Sequence, residues 1–195
     1  MNLSEYDALL TTEKDNNFNG AATKVDLFPT EKDYDRINIA INGYASADTL
    51  IKKFSKDLFI TGSYSDKTEL IEKLIQISKE KLHLDDKFGE LVLQRESLST
   101  TYFGNGVGIP HPLHPITEDT FVAVALLDNA LEWNEEHTVN IVMLISTETG
   151  NPKAFQIWKY ISELTGNKEA IEKISREKTY ENFISVLKET LDKIF

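Results

Sequence analysis

Cysteine is absent from the sequence, which excludes disulfide staples, thiolate nucleophiles and cysteine-ligated zinc, and fits a reducing compartment. Positive charge is scarce as well. Lys and Arg number 21 against 32 Asp and Glu, for a formal charge of -11. Binding nucleic-acid phosphates needs clustered Lys and Arg, and no basic run interrupts this balance, so direct nucleic-acid contact is not expected. The same acidity disfavours anionic membrane surfaces and suits partners with a basic docking face, although acidic surfaces are more often only solubilising. No apolar run approaches the roughly 18–20 residues of a membrane helix. The start, MNLSEYDALLTTEKD, is acidic and polar, unlike a secretory signal. With 41% hydrophobic residues the chain can bury a core, so the expectation is a globular cytoplasmic protein without membrane insertion.

Regular pattern is thin before residue 34. Val25-Asp26-Leu27-Phe28 reads as a short strand stopped at Pro29, with a helix starting near Asp33 and carrying Ile37, Ile41 and Tyr44 on one face. A boundary is expected near residues 45–54, dividing the chain into 1–44 and 45–195. Beyond it, Leu58-Phe59-Ile60 is a short apolar run broken at Gly62. Asp66-Lys67-Thr68-Glu69 has the Asp-x-x-Glu form that opens a helix, and Leu70, Ile71, Leu74 and Ile75 continue it at helical spacing to about Leu82. A second helix is expected over Asp86–Glu96, burying Phe88, Leu91 and Val92. Two runs, Phe121–Leu127 and Val139–Ile145, are apolar on both faces, as strands in a sheet covered from both sides are. Asn151-Pro152 then opens a helix with Phe155, Trp158 and Ile161 along one side, and helices over Lys168–Ile174 and from Thr179 follow. Together these predict an α/β three-layer sandwich with a mixed β-sheet flanked by helices.

Chemistry concentrates in Gly104-Asn105-Gly106-Val107-Gly108-Ile109-Pro110-His111-Pro112. Of the four histidines, His83 and His137 fit solvated surface, whereas His111 is held between two prolines that restrict its backbone. Gly104, Gly106 and Gly108 let a ligand approach the backbone, and their amides suit an anion nest. Ser99, Thr100 and Thr101 add hydroxyls, and Arg95 is a candidate phosphate clamp. An aimed imidazole among such groups suits a phosphoryl group carried on nitrogen, because histidine is neutral and nucleophilic near neutral pH. A tight turn holding a satisfied histidine accounts for the same nine residues. His111 and His114 lack the acidic companions of a metal site, the glycine spacing is not that of a dinucleotide fold, and there is no Walker lysine. Neither metal nor cofactor is expected.

The longer string Arg95-Glu96-Ser97-Leu98-Ser99-Thr100-Thr101-Tyr102-Phe103-Gly104-Asn105-Gly106-Val107-Gly108-Ile109-Pro110-His111-Pro112 resembles the active-site segment of fructose/mannitol-type enzyme IIA domains. These belong to the bacterial sugar phosphotransferase system. The resemblance spans roughly residues 54–193 and implies that family's fold, a mixed sheet between helices. It also implies that His111 accepts a phosphoryl group from phospho-HPr and donates it to an enzyme IIB domain, with Arg95 beside it. Gly108 stands where the family usually has alanine. Many members carry a second active-site histidine at the start of the helix after the last strand. That position falls at Ala154 or Lys153, leaving His114 or Lys153 as candidate auxiliaries. Leu27-Phe28-Pro29-Thr30-Glu31-Lys32-Asp33-Tyr34-Asp35-Arg36-Ile37 looks like the tail of the IIB-like domain of multidomain antiterminators and activators of sugar operons. Residues 1–44 are then that tail and a linker, and 45–195 a regulatory IIA domain. A transport component and a phosphorylation-silent interaction module are the competing expectations.

Overall fold

The computed structural model of the protein describes residues 10–12, 22–43 and 46–194. Tyr44, Ala45 and the stretch at residues 16–21 lie outside the described residues. Two short strands, β1 (Leu10–Thr11) and β2 (Thr23–Lys24), pair in parallel ahead of the main body. The strand expected at Val25–Phe28 falls earlier. Val25 closes the pairing through its amide to Thr11 O at 2.8 Å, and Leu27 and Phe28 are exposed in the bend that follows.

Helix α1 (Glu31–Asn42) starts slightly earlier than expected, because Thr30 and Asp33 cap each other reciprocally and satisfy donors of the first turn. Its buried face is Asp33, Arg36, Ile39 and Ala40, whereas Ile41 is exposed. The face is set by a buried ion pair of Arg36 with Asp33, which an apolar periodicity cannot register.

α2 (Ala47–Ile51) leads to β3 (Phe59–Gly62). α3 (Lys67–Leu82) opens at Asp66, whose carboxylate accepts the Glu69 amide at 2.9 Å, as the Asp-x-x-Glu pattern requires. α4 (Asp86–Leu98) follows, then the hairpin of β4 (Tyr102–Gly104) and β5 (Val107–Gly108). β6 (Phe121–Asn134) and β7 (His137–Ser146) are the long central strands. After them, Asn151 caps a 3₁₀ turn, Pro152–Gln156, where an α-helix was expected, and α5 begins only at Ile157 and runs to Gly166. α6 (Lys168–Arg176) and α7 (Tyr180–Leu191) complete the described chain.

The sheet runs β3-β6-β7-β5-β4. The β3–β6 and β7–β5 pairs are parallel and the β6–β7 and β5–β4 pairs antiparallel, so it is mixed. Alternation along β6 sends Val122, Val124 and Leu126 to one face, with Ile157, Ile161, Phe183 and Leu187 of α5 and α7. Phe121, Ala123, Ala125 and Leu127 go to the other, with Leu70, Leu74, Phe88 and Val92 of α3 and α4. Each such buried aliphatic side chain contributes about 1.5–3 kcal/mol relative to exposure, so both layers are firmly held. Ile39 of α1 joins the first core, which fixes the N-terminal helix onto the same body.

Candidate functional site

Two segments converge on His111. The first is the end of α4. Arg95 lies in its last turn, and its Nη1 donates to the carbonyl of the capping Ser99 at 3.1 Å and to Ser99 Oγ at 3.0 Å. A cation there answers both the free carbonyls and the helix dipole. The second segment is the loop leaving β5, which is pinned along its length. The Ile109 amide donates to Thr101 O (2.9 Å), Pro110 O accepts the Ile145 amide (3.1 Å), and the Leu113 amide donates to Leu91 O (3.2 Å). Ile109, Pro110 and Pro112 are buried, so the half-buried His111 has little backbone freedom.

The ring itself is fixed at both nitrogens. Nδ1 lies 2.8 Å from Ile109 O, a partner that can only accept, so Nδ1 carries the proton. Arg95 Nε donates to Nε2 at 3.1 Å, which requires a lone pair there. The two bonds agree on one tautomer, with Nε2 nucleophilic. Burial lowers the His111 pKa from its ordinary 6.5; the Ile109 carbonyl opposes that shift, the Arg95 charge reinforces it and Glu96 opposes it. The ring is therefore neutral at neutral pH. Trp158 meets it edge-on, with centroids 5.1 Å apart and planes at 77°.

His111 opens onto a pocket of about 250 Å³ that His114, Thr147, Phe155 and Trp158 also line. Phe155 and Leu113 at its rim are each more than two-fifths exposed, as is nearby Phe103, which packs toward Trp158. Thr147 and Trp158 were not singled out as site residues. The sequence places Trp158 only along one side of a helix with Phe155 and Ile161, and its position after the Asn151-Pro152 start was the one available signal.

Of the residues expected at the site, His111, Arg95 and Ser99 come together, and His114 shares the pocket. The others have different work. Thr101 is buried, donates to Glu96 Oε2 at 2.5 Å and accepts the Trp133 indole N–H at 3.3 Å. Thr100 Oγ1 accepts from the Tyr102 amide and from Asn134 Nδ2. Gly104 and Gly106, at φ of +100° and +73°, make the β4–β5 turn. The Gly106 amide faces the Tyr102 hydroxyl at 3.4 Å, and the Gly106 carbonyl accepts two amides of β7. Gly108 is paired within the sheet. The anion nest expected from the three glycines is thus a hairpin, its groups engaged in the sheet. Lys153 points away, donating to Ile41 O of α1, and Ala154 is fully buried. His83 is an exposed helix cap, and His137 stacks on Tyr102 with centroids 4.1 Å apart. Among the described residues no group of three or more His, Cys, Asp or Glu is arranged to hold a metal, and no helix is long and apolar enough to cross a membrane.

A mixed-sheet α/β body presenting a neutral, arginine-flanked histidine at a pocket is the form of a sugar phosphotransferase system IIA domain. The chain belongs to the phosphoenolpyruvate-dependent sugar phosphotransferase system EIIA 2 family, whose profile matches residues 52–190. It is 31% identical over 130 residues to a probable licABCH operon regulator of Bacillus subtilis, covering 66% of this chain and 20% of that protein. It is 22% identical over 143 residues to the mannitol-specific phosphotransferase enzyme IIA component of Geobacillus stearothermophilus, covering 72% of this chain and 96% of that one. The chain thus spans about one fifth of the regulator it matches. Its fold is that of IIA mannitol from Escherichia coli, at a TM-score of 0.58 and 16% identity over 68% of this chain and 97% of that one. An Escherichia coli structure with the same TM-score, 16% identical over 69% of this chain and 97% of that one, is a complex of enzyme IIA mannitol with phosphorylated enzyme IIB mannitol.

Proposed function

We propose that this EIIA domain carries a phosphoryl group on Nε2 of His111 and acts as the phosphorylation-sensing domain of a sugar-operon regulator in the cytoplasm. The observation that carries the reading is the pair of bonds at the ring: Ile109 O holds the proton on Nδ1, and Arg95 marks the lone pair on Nε2. The donor is phospho-HPr. Its phosphorus–nitrogen bond breaks as the bond to His111 Nε2 forms, and the electron pair returns to the donor imidazole. Arg95 passes its N–H from Nε2 to the phosphoryl oxygens. Its charge is not neutralised by a carboxylate ion pair among the described residues, so it is available to an anion. The proton stays on Nδ1, donated to Ile109 O throughout, so no general base is needed. Ser99 Oγ, beside the guanidinium, supplies a further hydrogen bond, and His114 faces the same pocket as an auxiliary.

The regulator reading is supported by the similarity to the licABCH operon regulator. Residues 1–44 are on this reading the tail of a preceding IIB-like domain and its linker, and 45–195 the EIIA domain. An enzyme IIB domain is the onward acceptor, in trans or within a longer chain; the complex of a structural relative with phosphorylated IIB supports a partner of that kind. A transport role is the second reading, supported by the match across nearly all of a mannitol enzyme IIA component.

Incubation with phosphoenolpyruvate, enzyme I and HPr, followed by intact-mass measurement, tests the proposal. One acid-labile phosphoryl adduct is expected, lost in His111→Ala. No adduct, or one that survives that substitution, overturns it and leaves a silent interaction module. Transfer to sugar through purified IIB and the membrane component separates the transport reading from the regulatory one.

A further inference from the structure

We infer that Trp133 and Gly108 form a matched pair that positions His111, and that Trp133 is therefore a positioning residue for phosphoryl transfer although it lies on β6, outside the site. The inference rests on the proposed role of His111.

Trp133 is 1% exposed and belongs to a closed ring of four side chains. Its indole N–H donates to Thr101 Oγ1 (3.3 Å) and Thr101 donates to Glu96 Oε2 (2.5 Å). Glu96 Oε1 accepts Lys67 Nζ (2.9 Å), and Lys67 Nζ sits 5.3 Å from the centroid of the Trp133 ring. The ring ties α3, α4, the start of β4 and β6 to one another. From it, two arms reach the site. Glu96 adjoins Arg95 in α4, so the ring holds the helix end that supplies the guanidinium. The Thr101 carbonyl accepts the Ile109 amide, and the Ile109 carbonyl accepts Nδ1–H of His111. The arms meet at the Arg95–His111 bond, so its geometry depends on how the ring is seated.

Gly108 shows how closely that seating is adjusted. Its φ is not in the left-handed region, so conformation does not demand glycine. Space does: a Cβ there would lie 2.7 Å from Trp133 Cε2 and 2.8 Å from Cζ2. Those are rigid ring atoms in a packed core, and an added methyl cannot be absorbed by a rotamer change. The strand immediately before Ile109 would have to move, carrying the Ile109 carbonyl with it. A displacement on the order of an ångström at a reacting group costs up to about a hundredfold in rate.

The test is a cycle of Gly108→Ala, Trp133→Phe and the pair combined. Three readouts apply: ¹⁵N imidazole signals of His111 in the unphosphorylated protein, phosphorylation by phospho-HPr, and circular dichroism for the fold. Gly108→Ala is expected to mix the His111 tautomers and to cut the maximal rate about tenfold, with half-saturating HPr unchanged. The smaller ring removes the collision, so the double variant should return to within about threefold of Trp133→Phe alone, a non-additivity expected only of touching residues. Additive effects, or an unaltered tautomer and rate in Gly108→Ala, would overturn the inference. Should Gly108→Ala not fold, Thr101→Val carries the test, since it keeps shape while breaking the ring; an unchanged tautomer there is equally contrary. The imidazole signals need no phosphoryl transfer, so a failure of positioning is distinguishable from a failure of the phosphohistidine reading.

Discussion

Arg36 and Arg95 are both held in fixed geometry, and their surroundings are opposite in kind. Arg36 is buried and pairs bidentately with Asp119 (2.8 and 3.0 Å) and with Asp33 at 3.3 Å. The hydrogen bond to Asp119 raises its pKa, burial opposes that shift, and the Asp119, Glu148 and Asp33 charges reinforce it. Arg95 bonds an imidazole, a hydroxyl and a carbonyl, all uncharged. The first arginine is neutralised by carboxylates and serves to fasten α1 to the body. The second is held in place by neutral groups, with no carboxylate ion pair among the described residues. On the proposed reading, an arginine's partners separate a structural clamp, Arg36, from a phosphate clamp, Arg95, where burial alone does not.

Exchanging the outcomes of the two positions breaks the comparison most directly. Arg95→Ala is expected to slow phosphorylation of His111 by about 10²–10³, as loss of a charge-stabilising donor does, while the melting temperature stays close to that of the parent. Arg36→Ala is expected to do the reverse. It leaves Asp33, 1% exposed, without its ionic partner and costs about 2 kcal/mol of stability, below the range for fully buried pairs because Asp119 is partly exposed. Denaturant unfolding and phosphorylation kinetics on both variants check this; a rate defect in folded Arg36→Ala, or a stability defect in Arg95→Ala, contradicts the division.

Glu148 sharpens the comparison on the Arg36 side. It is buried, accepts Asn151 Nδ2 at 3.2 Å, and its carboxyl is pushed up to about 7, chiefly by burial, with Asn151, Arg36 and Lys53 opposing and Asp119 reinforcing. A carboxyl with a raised folded-state pKa contributes stability that is fully present below about pH 4.5 and is lost as pH rises through 7. The difference amounts to at most about 3 kcal/mol. Glu148→Gln is expected to flatten this slope and to be more stable than the parent at pH 8, with little change in His111 phosphorylation. Urea unfolding at pH 5 and pH 8 measures it, and parallel slopes in the two proteins refute the buried-carboxylate explanation.

Much of this architecture is legible in residue order because it depends on neighbours. The Asp66–Glu69 start of α3, the doubly apolar strands β6 and β7, and the proline-fenced His111 are local signals. So is Arg95, through its place in the long motif that ends at His111. What escaped depends on distant contacts. The face of α1 was assigned to Ile37 and Ile41 because a buried Asp33–Arg36–Asp119 cluster looks like solvent-facing charge in one dimension. Gly108 was assigned to an anion nest because its neighbour Trp133 arrives from another strand. Thr101 was read as a ligand hydroxyl because nothing nearby in sequence announces Glu96 and the Trp133 indole as its partners. Phe155, Trp158 and Ile161 were placed along one side of a helix from Asn151-Pro152, but the 3₁₀ turn at Pro152–Gln156 shifts the helix start, and Phe155 and Trp158 line the His111 pocket, Trp158 also packing against the core.

The most direct measurement is ¹⁵N–¹H correlation of the His111 imidazole before and after phosphorylation by phospho-HPr. With Ile109 O holding Nδ1–H and Arg95 at Nε2, the expected result is a phosphoryl group on Nε2 with the Nδ1 proton retained. Phosphorylation at Nδ1, or an imidazole protonated at Nε2 in the resting protein, would contradict it.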